Sequence, residues 1–281
     1  MARQPTSPPA LSEEYLPEPP SCIYYATLYV QPQRRELVRA IAALRREIER
    51  IPPTCSDPGI AKIKLAWWQE EAEKLKLRQP RHEISIAITG LTEATQNIAI
   101  ALEMLCGALD QALSGLDFAT PEAVIDFVTG ANRGFLQALS AAAVVGAELD
   151  PQIADISCRA EIVYALCNLR EHRKLNSVWL DTNSLRNAGL TRNEVIAIAS
   201  SDRISALLTQ RLKTDCQWLI ERISELPRAR RRQHHVLVSL ARMYSRTGEV
   251  VAREGAPVIE QRTEITPIEK LWLAWRTHRF G

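Results

Sequence analysis

The chain has 281 residues, of which 46% are hydrophobic and 24% are charged, a composition typical of a globular protein with a sizeable core. Its 35 basic and 33 acidic residues leave a formal net charge of +2, which argues against nucleic acid as a partner. No apolar run reaches the roughly 18 residues that a membrane span requires, so we expect a soluble protein.

The first long predicted helix is marked by apolar residues at steps of three and four, namely Leu37, Ile41, Leu44, Ile48 and Ile51. Pro52-Pro53 ends this helix. A second helix begins at Asp57-Pro58, an N-cap residue followed by proline at the first helical position. Its apolar positions are Ile60, Ile63, Trp67 and Leu75. For the adjacent pair Trp67-Trp68 we expect one ring in the core and one at its rim.

The rest of the chain also has helical periodicity. Residues 84–113 are apolar and rich in alanine, and Thr120-Pro121-Glu122 opens another helix. In that helix Gly134 and the run Ala141-Ala142-Ala143 are small enough to let neighbouring helices approach closely. Further helices are predicted near 151–174, 182–189, 191–200, 202–226 and 232–252. Without alternating strand patterns, Gly-rich phosphate loops or repeats, the sequence predicts an all-α, single-domain bundle of roughly ten helices.

The two ends of the chain differ from this bundle. Residues 1–20 are rich in Pro, Ser and Glu and predict a disordered lead-in, whereas residues 21–254 form the predicted domain. Residues 255–281 form a basic tail with two tryptophans, which lies on a membrane or partner protein or packs back over the bundle. The six cysteines form no CxxC pair and lie among apolar residues. We therefore expect reduced core thiols and a cytoplasmic protein.

A basic turn follows Pro227. It contains Arg228, Arg230, Arg231 and Arg232. These arginines suit docking to an acidic partner or a lipid surface. Because the overall charge is close to neutral, a solvated turn is the favoured interpretation.

Three segments, in order along the chain, share the pattern of a known family. They are Ser21-Cys22-Ile23-Tyr24-Tyr25-Ala26, then Leu166-Cys167-Asn168-Leu169-Arg170-Glu171, then Val178-Trp179-Leu180 followed by Gly189-Leu190-Thr191. Their order and spacing resemble the Ser-Phe-Tyr-Tyr-Ala, Leu-Thr-Asn-Ile-Leu-Arg-Asp and Ile-Tyr-Leu-Pro … Gly-Leu-Thr segments of the squalene/phytoene synthase family. The resemblance covers residues 21 to about 244 and implies a helical bundle of the isoprenoid (terpenoid) synthase type.

In active members of this family, the resemblance implies two aspartate-rich motifs that hold Mg²⁺, bind allylic diphosphates and join two prenyl chains head to head. Mg²⁺ requires hard oxygen ligands, and two carboxylates on one helix meet only at spacings of three or four. At the first motif this chain retains Glu49, but Pro53 stands four positions later, and Glu47 lies on a different helix face. At the second motif Glu171 is followed by His172 and a basic stretch, with no second acid.

This erosion resembles a divergent branch of the family that includes the mitochondrial complex I assembly factor. It favours a non-catalytic binding or assembly factor with a protein partner at a membrane complex, located in the cytoplasm or peripheral to the inner membrane. Two alternatives stay open. One is an active Mg²⁺-dependent prenyltransferase that condenses isoprenoid diphosphates with Glu47, Glu49 and Glu171 as imperfect ligands. The other is a carrier of an isoprenoid or lipid. Mg²⁺ is expected only for the active synthase, and no complete metal site is predicted.

Five residues align with family positions near the diphosphate end of the pocket, namely Ser21, Tyr24, Tyr25, Asn168 and Arg170. They are candidates for binding a phosphate or an anionic lipid headgroup, with Arg170 supplying a planar fork of donors. Helix capping, core packing and an ion pair between Arg170 and Glu171 explain the same residues equally well. His172 is a candidate acid or base, although a histidine among basic residues is more often a solvated helix residue.

Overall fold

The computed structural model describes residues 11–172, 179–197, 201–256 and 263–281, and within these ranges it contains helices and no strand. In the described part of the chain, a 3₁₀ helix at Glu13–Tyr15 precedes fifteen α-helices. These are α1 Cys22–Thr27, α2 Pro32–Glu49, α3 Ile51–Thr54, α4 Pro58–Lys76, α5 Glu83–Leu91, α6 Thr95–Leu113, α7 Pro121–Ala143, α8 Pro151–Cys167, α9 Leu169–His172, α10 Thr182–Asn187, α11 Arg192–Ala197, α12 Ser201–Glu225, α13 Arg228–Gln233, α14 His235–Arg253 and α15 Pro267–Phe280. The predicted all-α bundle is confirmed.

Local capping signals account for where the long helices begin. The carboxylate of Asp57 accepts a hydrogen bond from the backbone N–H of Gly59 at 2.7 Å, and α4 starts at the next residue, a proline. Asp150 accepts in the same way from the N–H of Gln152 at 2.8 Å, one residue before the proline that opens α8. Proline at the first helical position loses no intrahelical hydrogen bond there, so each boundary is set by a few residues of sequence.

The centre of the bundle is formed by α8, which packs against α7, α12 and α14, while α6 lies between α4 and α7. The close approach predicted at Gly134 is confirmed: a Cβ atom built on Gly134 would lie 2.7 Å from the Cβ of Ala101 on α6. The backbones of α6 and α7 therefore pack at a distance that excludes any side chain at this position.

Of the apolar positions predicted on α4, Leu75 is buried, whereas Ile60 and Ile63 are not. Ile60 and Ile63 are 50% and 72% exposed, whereas Ala61 and Leu65 are buried against the core. The two isoleucines lie outside the buried stripe, in which the large side chains of Leu65, Trp68 and Leu75 alternate with the small Ala61 and Ala72. The tryptophan pair behaves as expected, since Trp68 is buried and Trp67 lies at the rim.

Both ends of the described chain contact the bundle. In the predicted lead-in, the backbone N–H of Ser12 donates to Glu83 at 2.9 Å, and the carbonyl of Glu14 accepts from Arg46 at 3.1 Å. In the predicted tail, α15 packs against α1, α13 and α14, and a capping box between Thr266 and Glu269 fixes its start. The basic stretch between Arg173 and Val178 lies outside the described residues.

The six cysteines are free thiols, and four of them are buried. Burial raises the pKa of Cys106 to about 12 and that of Cys158 to about 11, so these thiols stay protonated at neutral pH. Among the described helices, none combines the length and the hydropathy that crossing a bilayer requires.

Candidate functional site

A cavity of about 380 Å³ lies among α1, α2, α6, α7, α8 and α14. Most of its wall is apolar, with side chains that include Leu105, Leu109, Val128, Leu139 and Leu240. The volume falls in the range of small-molecule pockets, and an apolar wall with few polar groups suits a hydrocarbon ligand.

The main polar group in this cavity is a triad of Arg45, Glu49 and Glu161. Arg45 and Glu49 are one helical turn apart on α2, and Glu161 belongs to α8. The Nε of Arg45 donates to Oε1 of Glu49 at 2.7 Å, and its Nη1 donates to Oε1 of Glu161 at 2.9 Å. Only 11% and 16% of the Arg45 and Glu161 side chains are exposed, whereas 40% of the Glu49 side chain is open to cavity space. One guanidinium therefore joins two carboxylates from two helices.

The electrostatics of the triad follow from its burial. Burial alone would lower the pKa of Arg45, but the charges of Glu161 and Glu49 outweigh it and hold that pKa well above its ordinary value. Burial raises the pKa of Glu49, and the negative charge of Glu161 adds to this rise, while Arg45 opposes it. Arg45 is thus a fixed cation, and Glu49 is the carboxylate that gains a proton more readily than usual.

Two tyrosines complete the polar side of the cavity. The rings of Tyr164 on α8 and Tyr244 on α14 stack with their centroids 4.4 Å apart. Burial and the charge of Glu161 raise the pKa of Tyr244 well above its ordinary value. The phenol of Tyr244 is therefore neutral near pH 7, and the two stacked rings offer a flat, partly polar surface beside the ion pairs.

A second ion pair borders the cavity where α15 meets the N-terminal segment. The Nζ of Lys270 donates to Glu264 at 2.8 Å and to the backbone carbonyl of Pro20 at 2.6 Å. Only 1% of Lys270 is exposed. This lysine joins the two ends of the chain at the cavity wall.

The sequence profile of the squalene/phytoene synthase family matches residues 21–269. The chain belongs to the squalene/phytoene synthase family. Among solved structures, a crystal structure of a dehydrosqualene synthase in complex with ligand matches with a TM-score of 0.67 and 10% sequence identity. The match covers 92% of this chain and 91% of that chain. Comparison with curated protein sequences finds no match. The isoprenoid synthase fold predicted from the sequence is thereby confirmed.

The described residues of this family member do not fit the Mg²⁺ that active synthases use. Glu49 and Glu161 both accept hydrogen bonds from Arg45, which occupies the space between them. Within the described ranges, no three His, Cys, Asp or Glu side chains form a group able to hold a metal ion. Mg²⁺ takes several oxygen ligands in near-octahedral geometry, and this donor set already contains a cation.

The residues aligned with the first aspartate-rich motif lie apart from one another. Glu49 lines the cavity, and so does Pro53, which stands at the position of its expected partner. Glu47 is not on the cavity wall and pairs with Arg50 at 3.2 Å. Glu171 and His172, which belong to the second motif, are the last two residues of α9. Their side chains lie outside the described part of the chain.

Of the five residues predicted near a diphosphate, Ser21 lines the cavity. Tyr25 is buried in a separate small cluster, with Tyr24 packed against it. Asn168 ends α8, where its side-chain amide donates to the carbonyl of Tyr164 at 2.8 Å. Arg170 is exposed and is not among the residues of the cavity wall.

Sequence reasoning missed Arg45, Glu161 and Lys270 as site residues. Arg45 had a local signal, because it stands four residues before Glu49 on the same helix. Glu161 had a weaker one, as one of the two acids, with Asp155, in a helix whose other residues are mostly apolar. Lys270 had none, since its partners lie in the loop before α15 and at the other end of the chain.

Proposed function

We propose that this member of the family binds an isoprenoid or related lipid chain in its cavity without catalysing prenyl transfer. The observation that carries the proposal is the position of Arg45, which is hydrogen-bonded to Glu49 and Glu161 at 2.7 and 2.9 Å inside that cavity. The apolar wall supplies a site for a hydrocarbon chain, and the triad leaves no free pair of carboxylates for a metal.

Electrostatics support the non-catalytic part of this proposal. A diphosphate is a poor leaving group until divalent cations neutralise it. At about 4 Å and an effective dielectric constant of about 20, a divalent cation and one guanidinium repel each other by about 8 kcal/mol. Mg²⁺ would therefore have to displace Arg45 from both carboxylates, at the cost of two charge-assisted hydrogen bonds.

The chemistry of the cavity also supports an amphipathic ligand. Arg46 and Arg50 lie on the wall, and 59% of the Arg50 side chain is exposed, so a ligand with an anionic end meets positive charge where solvent enters. A respiratory assembly role, which the resemblance to the divergent branch implies, is compatible with such binding and stays a prediction.

Binding and turnover are tested on the full chain with farnesyl and geranylgeranyl diphosphate, each with and without Mg²⁺. We expect quenching of tryptophan fluorescence, because Trp179 lines the cavity, and no release of pyrophosphate. Ala131→Leu, which adds volume inside the cavity, should weaken binding at least tenfold. Ala197→Leu adds the same side chain at an exposed position on α11 and should leave binding unchanged. Equal affinity for both variants would contradict binding in this cavity.

An active prenyltransferase is the second candidate, and one observation favours it. Glu49 and Glu161 come from two different helices and converge on one point of an apolar cavity, as ligands of a shared ion do. For this function, pyrophosphate release must require Mg²⁺ and must disappear in Glu49→Gln. That result would overturn the non-catalytic proposal while leaving the assignment of the cavity intact.

A further inference from the structure

The C-terminal helix α15 presents an apolar ridge to solvent, on the side opposite to the cavity-facing Lys270. Its largest members are Ile268, Trp272 and Trp275, which are 78%, 50% and 42% exposed. Their spacings of three and four place them on one face of the helix. The opposite face buries Ala274 and Thr277 against the bundle. The ridge is thus the outer half of a helix that is already docked.

Beside this ridge lies a cleft of about 410 Å³ between α12, α13, α14 and α15, which we call the arginine cleft. Arg231, Arg242 and Arg276 line it together with Trp272. The guanidinium of Arg276 lies 5.1 Å from the ring centre of Trp272, so the cleft and the ridge share this tryptophan.

The three arginines have little to neutralise them. None has a carboxylate within ion-pair distance among the described residues; Arg242 donates to the hydroxyl of Thr277 at 2.7 Å. Arg231 donates from Nη1 to the carbonyls of Ile223 and Ser224 at 3.4 and 3.3 Å, and its buried Nε has no hydrogen-bond partner. Burial lowers the pKa of Arg242 to about 10, and the positive charges of Arg276 and Arg231, which line the same cleft, add to this effect.

The acids of the arginine cleft are already engaged. Glu249 and Glu269 line it, and both pair with a fourth arginine, Arg246, at 3.1 and 3.3 Å. Four arginines against two carboxylates leave a formal excess of two positive charges in the cleft. An anion that enters it meets this net positive charge and, at the exposed Arg276, a guanidinium fork suited to phosphate oxygens.

We propose that the ridge and the arginine cleft together form a docking face for a bilayer that contains anionic phospholipid. In this arrangement Trp272, Trp275 and Ile268 enter the headgroup region, and the arginines bind lipid phosphate. Tryptophan beside arginine on one face of an exposed helix is the composition of interfacial helices. The charge of this face is complementary to an anionic membrane, although the whole chain carries only +2. The proposal is independent of what the cavity binds.

The test is co-sedimentation of the full chain with vesicles of phosphatidylcholine and phosphatidylglycerol in equal parts, against vesicles of phosphatidylcholine alone. We expect binding to the anionic vesicles that weakens as added salt shortens the screening length. Arg276→Glu should lower the binding constant about thirtyfold, since it changes the charge of the face by two units. The double variant Trp272→Ala with Trp275→Ala should lower it at least tenfold.

Two control variants match these changes elsewhere on the surface. Arg186→Glu reverses an exposed charge on α10, and Trp67→Ala removes a partly exposed indole from α4. Both should bind vesicles as the unmodified chain does. Circular dichroism and the thermal midpoint verify that each variant is folded, and Arg276→Lys, which keeps the charge, should retain most of the binding.

Three results would overturn the proposal. The first is equal affinity for neutral and anionic vesicles. The second is an equal effect of Arg276→Glu and Arg186→Glu. The third is a protein that ignores vesicles and sediments as a dimer, which the double tryptophan variant dissociates. That outcome would make the ridge a surface for self-association.

Discussion

Replacing Arg45 by methionine tests the interpretation of the cavity most directly. The substitution keeps an unbranched side chain of similar length but removes the cation that two carboxylates share. Glu49 and Glu161 would then face each other across a largely apolar cavity. Removing one partner from a buried ion pair costs about 3–5 kcal/mol, because the remaining charge is left unpaired. Since 40% of the Glu49 side chain is open to cavity space, water offsets part of this cost, and we expect about 3 kcal/mol at pH 7.

The cost should depend on pH with a defined sign. Burial already raises the pKa of Glu49 in the folded protein, and the loss of Arg45 raises it further. A carboxylate whose folded pKa exceeds its unfolded pKa binds more protons in the folded state, so stability increases as the pH falls through the folded pKa. We therefore expect the stability that Arg45→Met loses relative to the unmodified chain to be only about 1 kcal/mol near pH 5.

Urea unfolding followed by circular dichroism measures this effect. With a slope of about 3 kcal/mol per molar urea, the loss at pH 7 moves the midpoint by about 1 M. Adding Glu49→Gln and Glu161→Gln to Arg45→Met should restore most of the stability, because no unpaired charge is left. Arg133→Met, at an exposed position on α7, is the control. A deficit that is the same at pH 5 and pH 7, or that is not relieved by the glutamines, would refute the electrostatic reasoning.

Three further predictions concern the scaffold. Gly134→Ala should lower the free energy of unfolding by about 2 kcal/mol, because its Cβ would lie 2.7 Å from the Cβ of Ala101. Gly130→Ala, whose Cβ would meet nothing within 4 Å, should raise the free energy of unfolding by up to about 1 kcal/mol. Equal urea midpoints for the two variants would contradict this. Burial lowers the pKa of His235 to about 4, below its unfolded value of about 6.5. The contribution of the neutral His235 to the stability of the fold is therefore complete above pH 6.5 and is lost as the pH falls towards 4. His235→Gln should flatten that part of the stability curve, and an unchanged curve would exclude this histidine as its cause. Asp57→Ala should lower the stability of the fold by about 1 kcal/mol in thermal unfolding. Asp57→Asn should lower it much less, because the side-chain oxygen of Asn can also accept the hydrogen bond from the backbone N–H of Gly59. Equal losses for the two variants would rule out a capping role.

Local chemistry made much of the fold predictable. The start of α4 depends on two neighbouring residues, Asp57 and Pro58, and no distant part of the chain is needed to recognise it. The stripe that α4 buries was not predictable in this way, since Ile60 and Ile63 have the hydrophobicity and the spacing of core residues. The face of α4 that contains Ala61 and Ala72 turns towards the core because α6 packs closely against it. That packing depends on the tertiary structure and is not encoded in the local sequence of α4.

The site was predictable only in part, for the same reason. Glu49 stood out as the surviving acid of a motif, and Ser21 as part of a similar segment, and both lie on the cavity wall. The partner that defines the site, Glu161, is 116 residues from Arg45 in sequence. No periodicity joins residues that far apart. The predicted binding roles of Tyr24 and Tyr25 depended on local similarity, whereas their packing depends on α14 and α15.

Arg45 and Glu161 depend on each other in a way that separates the shape of this cavity from its chemistry. A lone arginine at position 45 would bury a charge beside Glu49 alone, and a lone glutamate at position 161 would add a second unpaired carboxylate to an apolar wall. Together they link α2 to α8 across the cavity through one hydrogen bond of 2.9 Å, while Arg45 also donates to Glu49 on its own helix. A metal-dependent enzyme needs its carboxylates free at this place, since the ion itself must link the helices. Here the guanidinium of Arg45 makes that link, and this is the physical basis for proposing that the cavity holds a ligand without metal-dependent turnover.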